Sequence, residues 1–312
     1  MQQNTEEASV SYELEKIINS ARTYVKISDI QYKAFADARY AIINAIYVEE
    51  KFDVIIENFR ELEMELLNTT ASYVLFENRQ PHDRYFERST FNRKILNLLN
   101  ACKLYQEQTD LYISDLSNTT SVSKDDLSNI KSKQYDEHSG YRIIEALCKY
   151  VQTRGVPIHS TTENNNKENS DEGYRIKTSI SIYISSEEFR KDEKLTASVL
   201  SEIEGLGKKI NLMPLVREYI DCIWRVHKRV REMIADVEHS AKDLILGAMS
   251  DFERTNHDGK LSIRLAVVKK LPNGTYADAV NLFPYFAEYA GHFRKKYNQG
   301  RSLNKIVITS DL

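Results

Sequence analysis

Cysteine, glycine, proline and long apolar runs are all scarce in this chain of 312 residues. The three cysteines, Cys102, Cys148 and Cys222, are odd in number and far apart. They make neither a disulfide framework nor a C-x-x-C site, which fits a reducing cytoplasm. No window approaches the roughly 18 consecutive apolar residues of a membrane-spanning helix, so no membrane partner is expected. Residues 1–10 are polar and acidic, with no basic segment and no apolar run, so no secretory leader is expected. The phosphate-cradling patterns G-x-x-x-x-G-K-[ST] and G-x-G-x-x-G are missing, as are G-x-S-x-G and H-E-x-x-H. No cofactor and no catalytic metal is therefore called for. All ten glycines lie at or after Gly140, and the first 139 residues hold one proline, Pro81. Glycine costs a helix backbone entropy and proline removes an N–H, so a stretch this poor in both predicts a helical bundle.

The residues that are present suit a globular protein. Hydrophobic side chains make up 41% of the chain and charged ones 29%, enough for one large domain or two modest ones and unlike a disordered chain. The net charge of -3 argues against wholly electrostatic nucleic-acid binding. That total hides an asymmetry. Residues 1–70 hold seven Lys/Arg against thirteen Asp/Glu, whereas residues 260–305 hold nine against two.

Apolar spacing predicts most elements. Tyr12, Leu14, Ile17, Ile18, Ala21 and Val25 recur at helical intervals. Ser28 and Gln31 are spaced for a capping box that opens a second helix through Phe35, Ala38, Ile42 and Ile46. Ile55, Phe59, Leu62 and Leu66 continue the pattern. Residues 77–87 read as a loop. Ser89 or Thr90 would cap a helix carrying Ile95, Leu98, Leu99, Cys102 and Tyr105. After a polar break at 117–123, Ser123 with Asp126 would cap a short helix, and another helix runs from Ser139 to Thr153. Residues 159–173 are rich in Asn, Ser, Thr and Glu and read as a solvated loop or insert. Residues 174–185 alternate strictly, as a half-buried strand does. A helix ends at Gly205 and Gly207. A long helix, 214–254, starts at Pro214. Residues 260–269 alternate again, 271–275 form a turn, 283–297 look helical, and 305–309 are β-prone.

The expected fold is mainly α: a helical bundle with a small β element of two or three strands in the C-terminal half. Strands 174–185 and 260–269 can pair, with 305–309 as a third. The expected layout is an N-terminal bundle at 1–158, the polar loop or insert at 159–173, and an α+β part at 174–312. The long helix would pack on the bundle, in two lobes or one continuous domain.

Three constellations could bind a ligand. Arg225, His227, Lys228, Arg229 and Arg231 form a basic run on the long helix, either a phosphate-binding strip or an ordinary solvated face. Arg294, Lys295 and Lys296, with His292, Arg301 and Lys305, are interleaved with Tyr285, Tyr289, Phe293 and Tyr297. That mixture suits single-stranded nucleic acid, where rings stack and cations hold the backbone, unless the aromatics are core. His239 and Asp243 share a helix face, but two ligands are too few for a metal. Cys148 reads as a small buried hydrophobe.

The segment from Tyr141 to His159, YRIIEALCKYVQTRGVPIH, follows the N-terminal bundle and closes its helix with Gly155-Val-Pro157. In this it resembles proteins of the HEPN superfamily (higher eukaryotes and prokaryotes nucleotide-binding). The resemblance covers roughly residues 10–160. It implies a helical bundle that pairs as a dimer and acts on RNA. Many members are metal-independent ribonucleases of toxin, defence and stress systems, with an Arg-x(4–6)-His motif. One alignment places the motif Arg at Cys148 and the motif His at Thr153, which implies a non-cleaving member. The other takes Arg154 and His159 themselves. There Arg154 would clamp a phosphate and His159 would move the 2′-hydroxyl proton. Two readings follow: an RNA-directed protein, cleaving if those two residues are catalytic, or a non-catalytic subunit that binds a partner protein or its own copy.

Overall fold

The computed structural model describes residues 10–18, 21–76, 80–170, 173–193, 195–256, 265–283 and 285–297. Its elements run β1 (Ser11–Ile18), β2 (Ala21–Ile27), α1 (Asp29–Leu75), α2 (Pro81–Thr119), α3 (Lys124–Glu137) and α4 (Ser139–Thr153). Then come β3 (Ser160–Ser170), β4 (Gly173–Ser185), α5 (Ser186–Phe189), α6 (Ala197–Gly205), β5 (Lys209–Asn211), α7 (Leu212–Asn256), β6 (Leu265–Lys270), β7 (Tyr276–Leu282) and α8 (Phe286–Lys296). The fold is mainly α, as expected. The β content is larger than two or three strands. Among the described residues seven strands form two antiparallel sheets, ordered β2-β1-β6-β7 and β3-β4-β5. The chain divides into two compact units. One joins the residues up to Glu50 with Arg231–Tyr297, and the other contains Lys51–Val230.

In the first unit, the helix expected over Tyr12–Val25 is instead a β-hairpin. Leu14 pairs with Val25 on one side and with Val267 of β6 on the other. Tyr12 and Leu14 fit a period of two as well as a helical one, and pairing with β6 decides between them. Leu14 joins a core of Tyr32, Phe35, Ile42, Ile245, Phe252 and Val267. The acids between are neutralised: Lys270 holds both Glu13 and Glu15, and Tyr276 Oη donates to Glu15 at 2.7 Å. Burial alone would raise the Glu15 carboxyl, but these partners hold it below its ordinary value. The capping box forms: Ser28 N–H donates to Gln31 Oε1 at 2.9 Å, and Gln31 N–H donates to Ser28 Oγ at 3.2 Å. Strand β6 pairs with β1 and β7, not with β4. The β6–β7 turn uses Gly274 at φ +80, which favours glycine. Residues 260–264, 301 and 305–309 lie outside the described residues.

In the second unit, α1 from Lys51, α2, α3, α4 and α7 up to Val230 pack around Phe52, Phe91, Ile95, Leu98, Ile143 and Ile223. Helix α2 starts at Pro81, so residues 81–87 are helix rather than loop. Proline in the first turn needs no N–H, and Gln80 with Asp83 makes a reciprocal capping box. Ser89 and Thr90 therefore sit inside α2 and cap nothing. Helix α4 has the expected bounds. The polar stretch expected as a loop is strand β3, paired with β4 from Ser160↔Tyr183 to Ser170↔Gly173. Polar cross-strand contacts replace apolar ones there: Asn164 Nδ2 donates to Ser181 Oγ at 2.9 Å, and Thr178 Oγ1 donates to Asn165 Oδ1 at 2.8 Å.

Candidate functional site

The end of α4 carries the pair Arg154 and His159. Arg154 caps the helix, its N–H donating to the Tyr150 carbonyl at 2.8 Å. Its Nε lies 3.9 Å from Oδ1 of the buried Asp192, while the side chain stays 44% exposed. His159 is held by three elements, α2, α4 and β4. Its N–H donates to the Tyr183 carbonyl, and Arg88 Nη1 donates to its carbonyl at 3.1 Å. Asn92 clamps the preceding residue, accepting from Ile158 N–H at 2.7 Å and donating to its carbonyl at 3.3 Å.

The ring is held as firmly. Ser185 N–H donates to Nδ1 at 3.1 Å. A nitrogen that accepts carries no proton, so the neutral ring is protonated at Nε2 and donates to Tyr150 Oη at 3.3 Å. Burial first, then the charges of Arg88 and Lys191, hold His159 below its ordinary value of 6.5, against the pull of Glu188. The neutral form therefore prevails at pH 7. Taking up a proton would require breaking the Ser185 contact. Among the described residues no hydrogen bond joins Arg154 to His159.

Cys148 and Thr153 sit differently. Cys148 lines a cleft of about 340 Å3 between α2, α4 and α7. Its floor is a closed polar network. Tyr219 Oη donates to Glu145 Oε1 at 2.7 Å, and Gln106 Nε2 donates to Glu145 Oε1 at 3.1 Å and to Tyr219 Oη at 3.0 Å. Burial, with help from Glu145, pushes the Cys148 thiol up to about 12, so it is neither a nucleophile nor a cation. Thr153 turns its hydroxyl back onto the Lys149 carbonyl.

Of the six basic candidates, at least three are spent on acids. Arg225 bonds Asp221 and His138, and His138 in turn bonds Glu218, which accepts Gly140 N–H at 2.7 Å in the first turn of α4. Arg229 bonds Asp126 at 2.8 Å. Arg294 bridges Glu49 and Glu238, alongside Arg231 on Glu49. Lys228 lies over the Trp224 ring at 5.1 Å. Lys295 and Lys296 are exposed in the last turn of α8. With exposed Tyr285, Tyr289 and His292 they make one outward stripe at helical spacing. The aromatics at Tyr285 and Tyr289 are thus not core. His239 and Asp243 are an exposed pair at 3.2 Å, and no group of three or more metal-ligating side chains forms among the described residues. No helix among them is long and apolar enough to cross a membrane.

Tyr150, Ser185 and Asn92 around His159, and Gln106, Glu145 and Tyr219 beneath the cleft, were not foreseen. They come from elements far apart in sequence, and no local spacing links them. Comparison with known protein families, curated proteins and solved structures finds no match for this chain.

Proposed function

We propose that the protein is an RNA-directed binding protein of HEPN-like architecture that holds its ligand without cleaving it. The observation that carries this reading is the His159 ring, whose two nitrogens are both engaged and whose tautomer offers no acceptor for a 2′-hydroxyl proton. Cys148 and Thr153, the alternative motif positions, supply neither a cation nor a base. The exposed stripe of Tyr285, Tyr289, His292, Lys295 and Lys296 supports RNA as the ligand, since stacking rings and cations are what a single strand needs. A toxin or defence setting rests on the resemblance alone.

The test is incubation of the protein with total RNA in EDTA, beside an Arg154→Ala/His159→Ala double variant. Intact RNA with both proteins, together with retained RNA binding, is the expected result. Cleavage by the wild type alone would restore the catalytic reading of Arg154 and His159. The second reading, a regulatory subunit that binds a partner protein, draws support from the exposed Val74, Leu75, Phe76, Tyr85 and Phe86 at one end of α1 and α2. A protein that binds no RNA at any salt concentration, yet loses a stoichiometric co-purifying subunit on Leu75→Ser/Phe86→Ser substitution, would favour it.

A further inference from the structure

Arg39 on α1 is a cation of the first unit with a buried, unpartnered nitrogen. Its guanidinium lies over the Phe286 ring at 4.4 Å and the Phe283 ring at 5.6 Å. Its Nη1 is buried with no hydrogen-bond partner, and among the described residues it makes no hydrogen bond or ion pair at all. Ring faces attract a cation but accept none of its five N–H hydrogen bonds strongly. Buried donors are almost always satisfied, and a cation is costly to desolvate without an anion. Arg231 and Arg294 of the same unit have Glu49 and Glu238; Arg39 has no equivalent.

The surroundings say which anion fits. Phe286 packs against Tyr285 at 4.8 Å and Tyr289 at 5.6 Å, and both tyrosines are exposed. Tyr285, which packs on the same Phe286 ring, carries a phenol that can donate to the same oxyanion. One turn further along α8 comes His292, and a second turn on come Lys295 and Lys296, all exposed. An acidic peptide would use the cations but leave the rings idle. A phosphodiester with unpaired bases uses both.

We propose that Arg39 anchors a phosphate of single-stranded nucleic acid on the first unit, with Tyr285 and Tyr289 as platforms for the adjacent bases. The nucleic-acid ligand rests on the RNA-directed reading; the oxyanion site does not. Arg39 supplies two parallel N–H donors to the phosphate, the geometry that guanidinium offers and ammonium lacks.

Two measurements test it on the full chain. The first is thermal melting in inorganic phosphate, for wild type and Arg39→Met. Phosphate should raise the wild-type Tm with concentration and leave Arg39→Met unmoved. Without phosphate, Arg39→Met should melt no lower than wild type, because an apolar side chain of similar length replaces a half-buried cation whose Nη1 has no partner. The second is fluorescence anisotropy with a labelled oligouridylate, the matching duplex and an oligoglutamate peptide. Arg39→Met and Tyr285→Ala/Tyr289→Ala should each weaken oligouridylate binding about tenfold or more, with duplex and peptide weaker throughout. Unchanged oligouridylate binding by Arg39→Met overturns the inference while the RNA-directed reading survives. If the wild type binds no oligouridylate, both fall, and an Arg39-dependent phosphate response would then mark the site as one for a different oxyanion. Preference for oligoglutamate also overturns it. Phosphate stabilising both proteins equally removes the oxyanion site itself.

Discussion

The His159 imidazole has two hydrogen-bonding atoms, and the fold uses both, which makes it a brace between α4 and β4. His159→Ala should therefore cost stability, about 1–3 kcal/mol, since it strands the Ser185 N–H; urea unfolding measures this, and a neutral effect would deny the brace. The sign with pH follows from its lowered folded value. The neutral ring is favoured in the native state, so its contribution is complete above the ordinary 6.5 and is lost as pH falls below it. A His159→Gln variant should show a shallower fall in Tm between neutral pH and mild acid than wild type does. Parallel curves would mean that the ring titrates as it does in the unfolded chain. Arg217 makes a comparable residue-scale case. It holds Glu63, whose side chain is 4% exposed, at 2.7 and 2.9 Å. Arg217→Ala should cost about 3–5 kcal/mol by leaving that charge buried, and Arg217→Met/Glu63→Met should recover most of it.

At the scale of elements, α1 and α4 show how helix ends are fixed. Ser28→Ala removes one half of the α1 capping box and should cost about 1 kcal/mol. Gly140 is demanding for a different reason. A Cβ there would stand 2.5 Å from Glu218 Oε2 and 3.0 Å from the Leu215 carbonyl oxygen of α7. The backbone oxygen cannot rotate away, so Gly140→Ala should destabilise by about 1–3 kcal/mol, and a Tm equal to wild type would show that α4 and α7 yield easily. Elements of this kind were legible in the sequence: α4 and α7 because their apolar stripes are long, and the Ser28 cap because its partner is three residues away. The hairpin β1–β2 was not. No glycine or proline marks its reversal, and its alternation is settled by β6, some 250 residues further on. Strand β3 was hidden for the opposite reason, since its Asn-rich composition resists strand formation until β4 supplies the ladder. The candidate site was legible only in part. Lys295, Lys296 and the interleaved tyrosines stood out as a pattern, but nothing local distinguishes Arg294, which is consumed by Glu49 and Glu238, from its two neighbours. Arg39 carries no sequence signal at all, because its rings come from α8 and the residues just before it.

Across the whole molecule, charge is sorted rather than scarce. The net charge of -3 arises from an acidic start and a basic stretch near the C-terminus, and many of the acids are answered within the fold. A ligand attracted to the basic stretch should be held by few phosphate contacts and by stacking. RNA binding should therefore weaken with salt less steeply than in proteins that cover many phosphates. Lys295→Ala/Lys296→Ala should lower the slope of log affinity against log salt by about one to two, and uniformly across sequences. The most direct measurement is a titration of end-labelled single-stranded RNA with the full chain in EDTA, read for binding by anisotropy and for integrity on a denaturing gel from the same samples. Saturable binding with the RNA recovered at full length is the expected result; RNA that is cut, or RNA that never binds, would contradict it.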